Sequence, residues 1–292
     1  MFLKLSRFFA IALTLLFISF YSLASKDDGG ERADQQFLDS HQYTINGIKR
    51  YEQIFGKGFI STGGLESTRQ LTVLLDLKKG QKVLDIGSGI GGSAFYMAKT
   101  YGVEVTGIDL SQNMVEIAKK QEEQKTLPVH FIHGDIMTLD LAPDSFDVIY
   151  SRDTLLHIKN KEALFKKMYT WLKPGGQFLI SDYCVGDKEL SEKTREYIKQ
   201  RDYHLTDVQS YRDLLEKAGF IDVAGESRDQ QFLDILNREL ARFKNNKEHF
   251  LKEFSAQDYQ DLVNGWSRKI ERVQSGDQTW AVFAGQKAAS VH

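Results

Sequence analysis

The sequence predicts an α/β fold: a mostly parallel sheet with helices on both faces and a helical cap over one end. Three observations lead there. Five strand-sized apolar runs, at 82–86, 103–108, 129–132, 146–150 and 177–181, alternate with amphipathic stretches of helical period such as 111–124 and 161–172. The first run turns directly into Asp85-Ile86-Gly87-Ser88-Gly89-Ile90-Gly91-Gly92, with a helical stretch at 93–99 behind it. The chain of 292 residues is 41% hydrophobic and 27% charged, which supplies material for a packed core and disfavours a disordered or fibrous reading. In a sheet of this kind ligands sit outside the carboxyl ends of the strands.

The elements follow in order. Residues 1–25 carry Lys4 and Arg7 and then an apolar run at 8–24, with Ser22 and Ala24 just before Ser25. This reads as a signal peptide or a membrane anchor, with the carboxyl side directed across the membrane. An exported, periplasmic or membrane-associated location is therefore expected, with membrane association through residues 8–24. Residues 26–36 are polar and without period, hence a linker. A single large domain is expected over 37–292. Within it, 37–78 form amino-terminal cap helices, 79–186 the ligand-binding core, and 187–275 mainly a lid with one strand at 220–223. Residues 276–292 form a last strand, with 280–283 at the edge of the sheet, and a tail.

Charge and cysteine content exclude other classes. Thirty-eight Lys and Arg against 40 Asp and Glu give a net charge of -2, too balanced for the positive field that nucleic-acid binding needs. Cys184 is the only cysteine, so neither an internal disulfide nor a cysteine-built metal site is available. No spacing such as H-E-x-x-H suggests a metal, and a monomer is expected.

Glycines at a strand-to-helix turn let the backbone approach a ligand, because no side chain intervenes and positive φ costs little. By spacing, Gly87, Gly89 and Gly92 also satisfy the G-x-G-x-x-G dinucleotide fingerprint, so the loop alone leaves NAD open. Asp109, ending the second strand, lies where a carboxylate accepts from both ribose hydroxyls. The third strand then adds Gly134-Asp135-Ile136, and Trp171-Leu-Lys-Pro-Gly-Gly176 precedes the fifth. This succession resembles the class I S-adenosylmethionine-dependent methyltransferases. The resemblance implies S-adenosyl-L-methionine as cofactor, held by Asp85, Gly87, Gly89, Gly91, Asp109 and Leu110, with Asp135 on the adenine amino group and Ile136 against the ring. Taken alone, Asp135 also reads as a helix cap.

A more specific set lies outside the core: Gln42-Tyr43-Thr44, Tyr51-Glu-Gln-Ile-Phe-Gly56, Phe59-Ile-Ser61, Gly63-Gly-Leu-Glu66, Tyr150-Ser-Arg-Asp153, His157, Ser181-Asp-Tyr-Cys184, Tyr197-Ile-Lys-Gln-Arg201, Tyr203 and Gly265-Trp-Ser-Arg-Lys269. Together these resemble the phosphoethanolamine N-methyltransferases of parasites and plants, over almost everything from Phe37 to the last strand. The resemblance implies stepwise methylation of phosphoethanolamine towards phosphocholine. It assigns Tyr43 and His157 as a catalytic pair, and Ile60, Ser61, Arg152 and Asp153 to the cofactor. Tyr51, Tyr183, Tyr197, Arg201, Tyr203 and Lys269 would hold the substrate. Two features depart from the pattern: the leader, and Gln230-Gln231-Phe232 where an aromatic pair is expected.

The chemistry agrees with those residue types. An alkyl ammonium with a pKa near 10.4 must lose its proton before it can attack, at a cost of about 4 to 5 kcal/mol near neutral pH. A histidine can take or relay that proton and a tyrosine can orient it. Arginine, lysine and tyrosine suit the phosphate. Singly, His157 also reads as a satisfied surface histidine, and Arg201 and Lys269 as solvated charges. Other acceptors for the same cofactor are a lipid amine or a sterol, and a non-catalytic adenosyl-ligand binder is a reading from another class. A donor made inside cells would favour a cytoplasmic location, against the leader.

Overall fold

The structure, a computed structural model, describes residue 35 and residues 38–290. The leader, nearly all of the linker and Phe37 lie outside the described residues. Among those described, no helix is long and apolar enough to cross a membrane. Nor do they hold a group of three or more His, Cys, Asp or Glu side chains that could bind a metal ion.

Seven strands form one sheet in the order β3-β2-β1-β4-β5-β7-β6. They are β1 (Lys82–Ile86), β2 (Glu104–Asp109), β3 (Val129–His133), β4 (Phe146–Arg152), β5 (Leu172–Val185), β6 (Ile221–Ser227) and β7 (Gln278–Gln286). The pairs β1·β2, β2·β3, β1·β4 and β4·β5 are parallel, whereas β7 runs antiparallel to both β5 and β6. All seven expected runs are strands. The expectation of 280–283 at the sheet edge is overturned: β7 lies between β5 and β6. Trp280, Ala281 and Phe283 are each 0% exposed. An unbroken apolar run covered on both faces belongs inside a sheet, and the polar, mostly exposed β6 takes the edge instead.

The helices start where capping side chains allow. Ser111 accepts from the Met114 amide at 3.2 Å to open α4, and Asn160 from the Ala163 amide at 3.0 Å to open α5. In chain order the helices are α1 (Ile45–Phe55), α2 (Gly64–Thr72), α3 (Gly92–Tyr101), α4 (Gln112–Glu122), α5 (Lys161–Trp171), α6 (Glu192–Arg201), α7 (Val208–Lys217), α8 (Asp229–Asn245), α9 (Lys247–Phe250) and α10 (Ala256–Gln274). Two apolar layers cover the sheet. One joins α2, α3, α4, α8 and α10, and the other joins α5 and α7. Within the segment read as a lid, α7 and β6 are built into the sheet layers, while α8 and α10 pack on each other.

The strand order reverses between β1 and β4, so the loops after those two strands part and leave a crevice at the sheet's carboxyl edge. The glycine loop follows β1. The 155–157 turn carrying His157 follows β4.

Candidate active site

The glycine loop is shaped partly by the protein and partly by space left beside it. A Cβ on Gly87 would strike the Thr154 side chain at 2.1 Å, and one on Gly91 would strike Phe131 at 2.5 Å. At Gly89, with φ +55, the nearest atom to a Cβ is the Met114 sulfur at 3.8 Å, so this glycine leaves room open. The Gly89 and Ser111 amides donate to the two Asp109 oxygens at 2.8 and 2.9 Å and aim that carboxylate over the crevice. Burial nevertheless raises the Asp109 pKa, against the pull of those two amides. Asp85 is 2% exposed and one of its carboxylate oxygens has no hydrogen-bond partner. Burial pushes its pKa up to about 7, with Arg152 opposing. A buried carboxylate short of one donor suits a ligand with a cationic head, and Asp109 keeps lone pairs for ribose hydroxyls. The residues present therefore fit S-adenosylmethionine.

The other residues expected at the cofactor are placed as follows. Asp135 accepts from the Met137 amide at 2.8 Å within a turn at 136–138, and no helix starts there for it to cap. Ile136 is buried, and the Leu110 carbonyl faces His133 Nε2 at 3.1 Å. Ile60 packs with Tyr43, Ile48, Ile90 and Met114, and the Ser61 carbonyl accepts from the Gly64 amide at 3.0 Å. Arg152 donates to Thr68 Oγ1 at 2.6 Å and to the Gly64 and Thr62 carbonyls. Asp153 accepts from the Thr62 amide at 2.9 Å, Ser181 Oγ at 3.0 Å and the Trp280 indole at 2.8 Å. The side chains of this pair are thus engaged in bracing Thr62 and the first turns of α2.

Beside the crevice a cavity of about 930 Å³ is lined by Tyr43, Tyr51, His157, Tyr183, Tyr197, Arg201, Tyr203 and Lys269, all eight of the expected catalytic and substrate residues. Tyr43 Oη and His157 Nε2 are 3.2 Å apart. The Tyr203 ring meets the imidazole edge to face with centroids 5.2 Å apart. Burial, then the charges of Lys161, Arg201 and His204, pull the His157 pKa down to about 3, so its ring is neutral near pH 7. Burial raises the Tyr43 hydroxyl, which keeps its proton.

The same lining is cationic. Lys269 donates to Tyr183 Oη at 3.1 Å and lies 4.9 Å from the centroids of Tyr183 and Trp266. Burial lowers it to about 8, with Glu239 pulling back and Arg272 adding to the fall. The Arg201 guanidinium is 6.0 Å from the Tyr197 centroid. Gln230 and Gln231 point to polar partners, but Phe232 is fully buried and stacks on Tyr183 at 5.6 Å.

Sequence reasoning missed Arg272, whose guanidinium sits 3.7 Å above the Tyr197 ring and which lines the same cavity. Its position three residues after Lys269, on the same face of α10, was the available signal. Asp39 and Glu239 were missed as well. Asp39 accepts from the Gln112 amide at 3.1 Å, and Glu239 accepts from the Gly63 amide at 2.8 Å and the Trp266 indole at 3.0 Å. Only the folded chain brings such distant pairs together.

Residues 77–219 match the methyltransferase-domain family. A phosphoethanolamine N-methyltransferase of Plasmodium falciparum is 41% identical over 258 residues, covering 87% of this chain and 97% of the relative. Phosphoethanolamine N-methyltransferase 1 of Triticum aestivum is 52% identical over 257 residues, covering 88% of this chain. The chain spans about half the length of the plant relatives it matches, 52% for the wheat protein. Phosphoethanolamine N-methyltransferase 2 of Haemonchus contortus, solved with phosphomonomethylethanolamine and S-adenosylhomocysteine, superposes with a TM-score of 0.85 at 40% identity, covering 87% of this chain and 60% of that one. With the sheet order, the glycine loop and the tyrosine-lined cavity already described, these matches place the chain in the phosphoethanolamine N-methyltransferase family.

Proposed function

We propose that the chain transfers a methyl group from S-adenosylmethionine to the amine of phosphoethanolamine and of its partly methylated forms, towards phosphocholine. One observation carries the reading: a proton-accepting pair and a set of cations share one cavity, whose lining holds Tyr43 and His157, 3.2 Å apart, together with Arg201, Lys269 and Arg272. The bound donor supplies an electrophilic sulfonium methyl. Arg201, Lys269, Arg272 and the tyrosine hydroxyls hold the phosphate, leaving the amine end free to face Tyr43. His157, neutral at rest, has a lone pair for the proton, and Tyr43, which holds its own, can accept the amine proton while passing its proton to Nε2. A phosphate dianion beside Arg201 also offsets one of the positive charges that weaken His157 as a base. The Tyr203 ring, beside His157, suits the methylated cation.

The test compares methyl transfer to phosphoethanolamine with transfer to phosphatidylethanolamine. Turnover of the first and not the second is expected, and the reverse would assign a lipid acceptor. His157→Ala and Tyr43→Phe proteins that still bind S-adenosylhomocysteine should lose about 10²- to 10⁴-fold in kcat. Full turnover in both would remove the assigned proton path. We also propose that the leader directs the chain to or across a membrane, which fractionation with amino-terminal sequencing of the mature chain checks.

A further inference from the structure

We propose that Lys161 is a positioning residue for this reaction, pinning the turn that carries His157 to the segment that carries Tyr203. The inference rests on the reading of His157 as proton acceptor. Lys161 opens α5 and is 4% exposed. Its ammonium donates to the Ile158 carbonyl at 2.9 Å, directly after the 155–157 turn, and to the His204 carbonyl at 2.5 Å, directly after Tyr203. A third link closes the loop, since the His204 amide donates to the Leu156 carbonyl at 2.7 Å. From β5, fully buried Asp182 accepts from the Leu156 amide at 3.3 Å and from Tyr211 Oη at 3.3 Å. The backbone on both sides of His157 is therefore tied down, and so is the segment whose tyrosine meets its ring.

A lysine is an expensive choice for this place. A cation in the first helical turn opposes the helix dipole, and burial adds desolvation. Burial indeed lowers the Lys161 pKa, with Asp182 drawing it back up. A methionine would fill the volume without either cost, so what the ammonium contributes is its two carbonyl bonds and its charge. That charge reaches the imidazole.

The groups facing His157 are Tyr43 from the amino-terminal segment, Arg201 from α6, Tyr203 and His204 beyond it, and Lys161 from α5, with exposed Lys159 on the adjoining turn and Asp182 behind on β5. After burial, Lys161 has the largest effect in keeping the ring neutral. One side chain thus both sets the place of the imidazole and preserves its lone pair.

The test uses Lys161→Met, Lys161→Gln and Lys161→Arg in the full chain. Calorimetry with S-adenosylhomocysteine serves as the check of fold and donor site. Lys161→Met is expected to lose about 10- to 100-fold in kcat, the order associated with a small misplacement of a reacting group, at unchanged donor affinity. Lys161→Arg, which keeps charge and donors, should recover most of it. In an NMR titration of labelled histidines, with His157 assigned from His157→Asn, the ring should begin to protonate at higher pH in the Met and Gln proteins than in the parent and Arg proteins. A folded Lys161→Met protein with parental kcat overturns the proposal. So does a loss that Arg fails to restore with an unmoved His157 titration, which marks a packing defect. Should the Met protein not fold, the Gln and Arg proteins decide by the same readings. If the parent does not turn over phosphoethanolamine at all, the reaction assignment falls, and the NMR titration still decides whether Lys161 governs the ring.

Discussion

A guanidinium 3.7 Å above the Tyr197 ring makes the cationic wall a set of three, Arg201, Lys269 and Arg272. Arg201 and Arg272 meet tyrosines and the Gln278 amide oxygen, and Lys269 donates to Tyr183 while Glu239 pulls on its charge, so the two guanidiniums keep their charge available to an anion. We predict that Arg272→Gln raises the KM for phosphoethanolamine by about 10- to 100-fold, the worth of one charge-assisted hydrogen bond, with little change in kcat. Steady-state kinetics at saturating donor checks this, and an unchanged KM would remove Arg272 from the clamp. Arg152 and Asp153 teach the reverse lesson. Their side chains hold Thr62 and the first turns of α2, and their residue types alone carry no sign of that.

Residues 38–43 form the element that laces the two ligand regions together. Asp39 accepts from the amide at the start of α4, Asn113 Nδ2 donates to the Tyr43 carbonyl at 2.9 Å, and Gln42 Nε2 donates to the Arg201 carbonyl at 2.9 Å. Tyr43 is thus delivered to His157 by a strap fastened to α4 and α6. Asp39→Ala is predicted to lower stability by about 1 kcal/mol, as loss of a helix-capping acceptor does, and to lower kcat by loosening Tyr43. Thermal unfolding and turnover measured together check it, and a stability loss with parental kcat would show that the strap does not set Tyr43. The strands illustrate how far an element can be read locally. The run 82–86 matches β1 to the residue, whereas the place of 280–283 in the sheet depended on β6, a partner that its own residues do not name.

The whole molecule buries groups of opposite pH preference. Asp85, raised from 3.8 to about 7, contributes stability that is fully present below the unfolded value and lost as pH rises through about 7. His157, lowered from 6.5 to about 3, contributes stability that is present above 6.5 and lost as pH falls towards 3. Between about pH 4 and 6.5 the two slopes oppose, each up to about 1.4 kcal/mol per pH unit. In donor-free protein, Asp85→Asn should therefore make Tm fall more steeply on acidification than in the parent, and His157→Asn should make it fall less steeply. Parallel Tm curves for all three would refute both shifts. By itself the sequence determined the seven strand runs, the glycine loop, Asp109 closing β2 and Asp135 after β3, because period, turn chemistry and local motif are written within short windows, while the residues of the tyrosine cavity came from the family resemblance. Only the tertiary structure decided that β7 lies inside the sheet, that Arg152 and Asp153 hold Thr62 and the first turns of α2, that Arg272 lines the tyrosine cavity, and that Lys161 bonds the carbonyls beside His157 and Tyr203. Those outcomes depend on contacts between residues tens to more than a hundred positions apart, and burial, which turns such contacts into pKa shifts and fixed geometry, is a property of the folded chain.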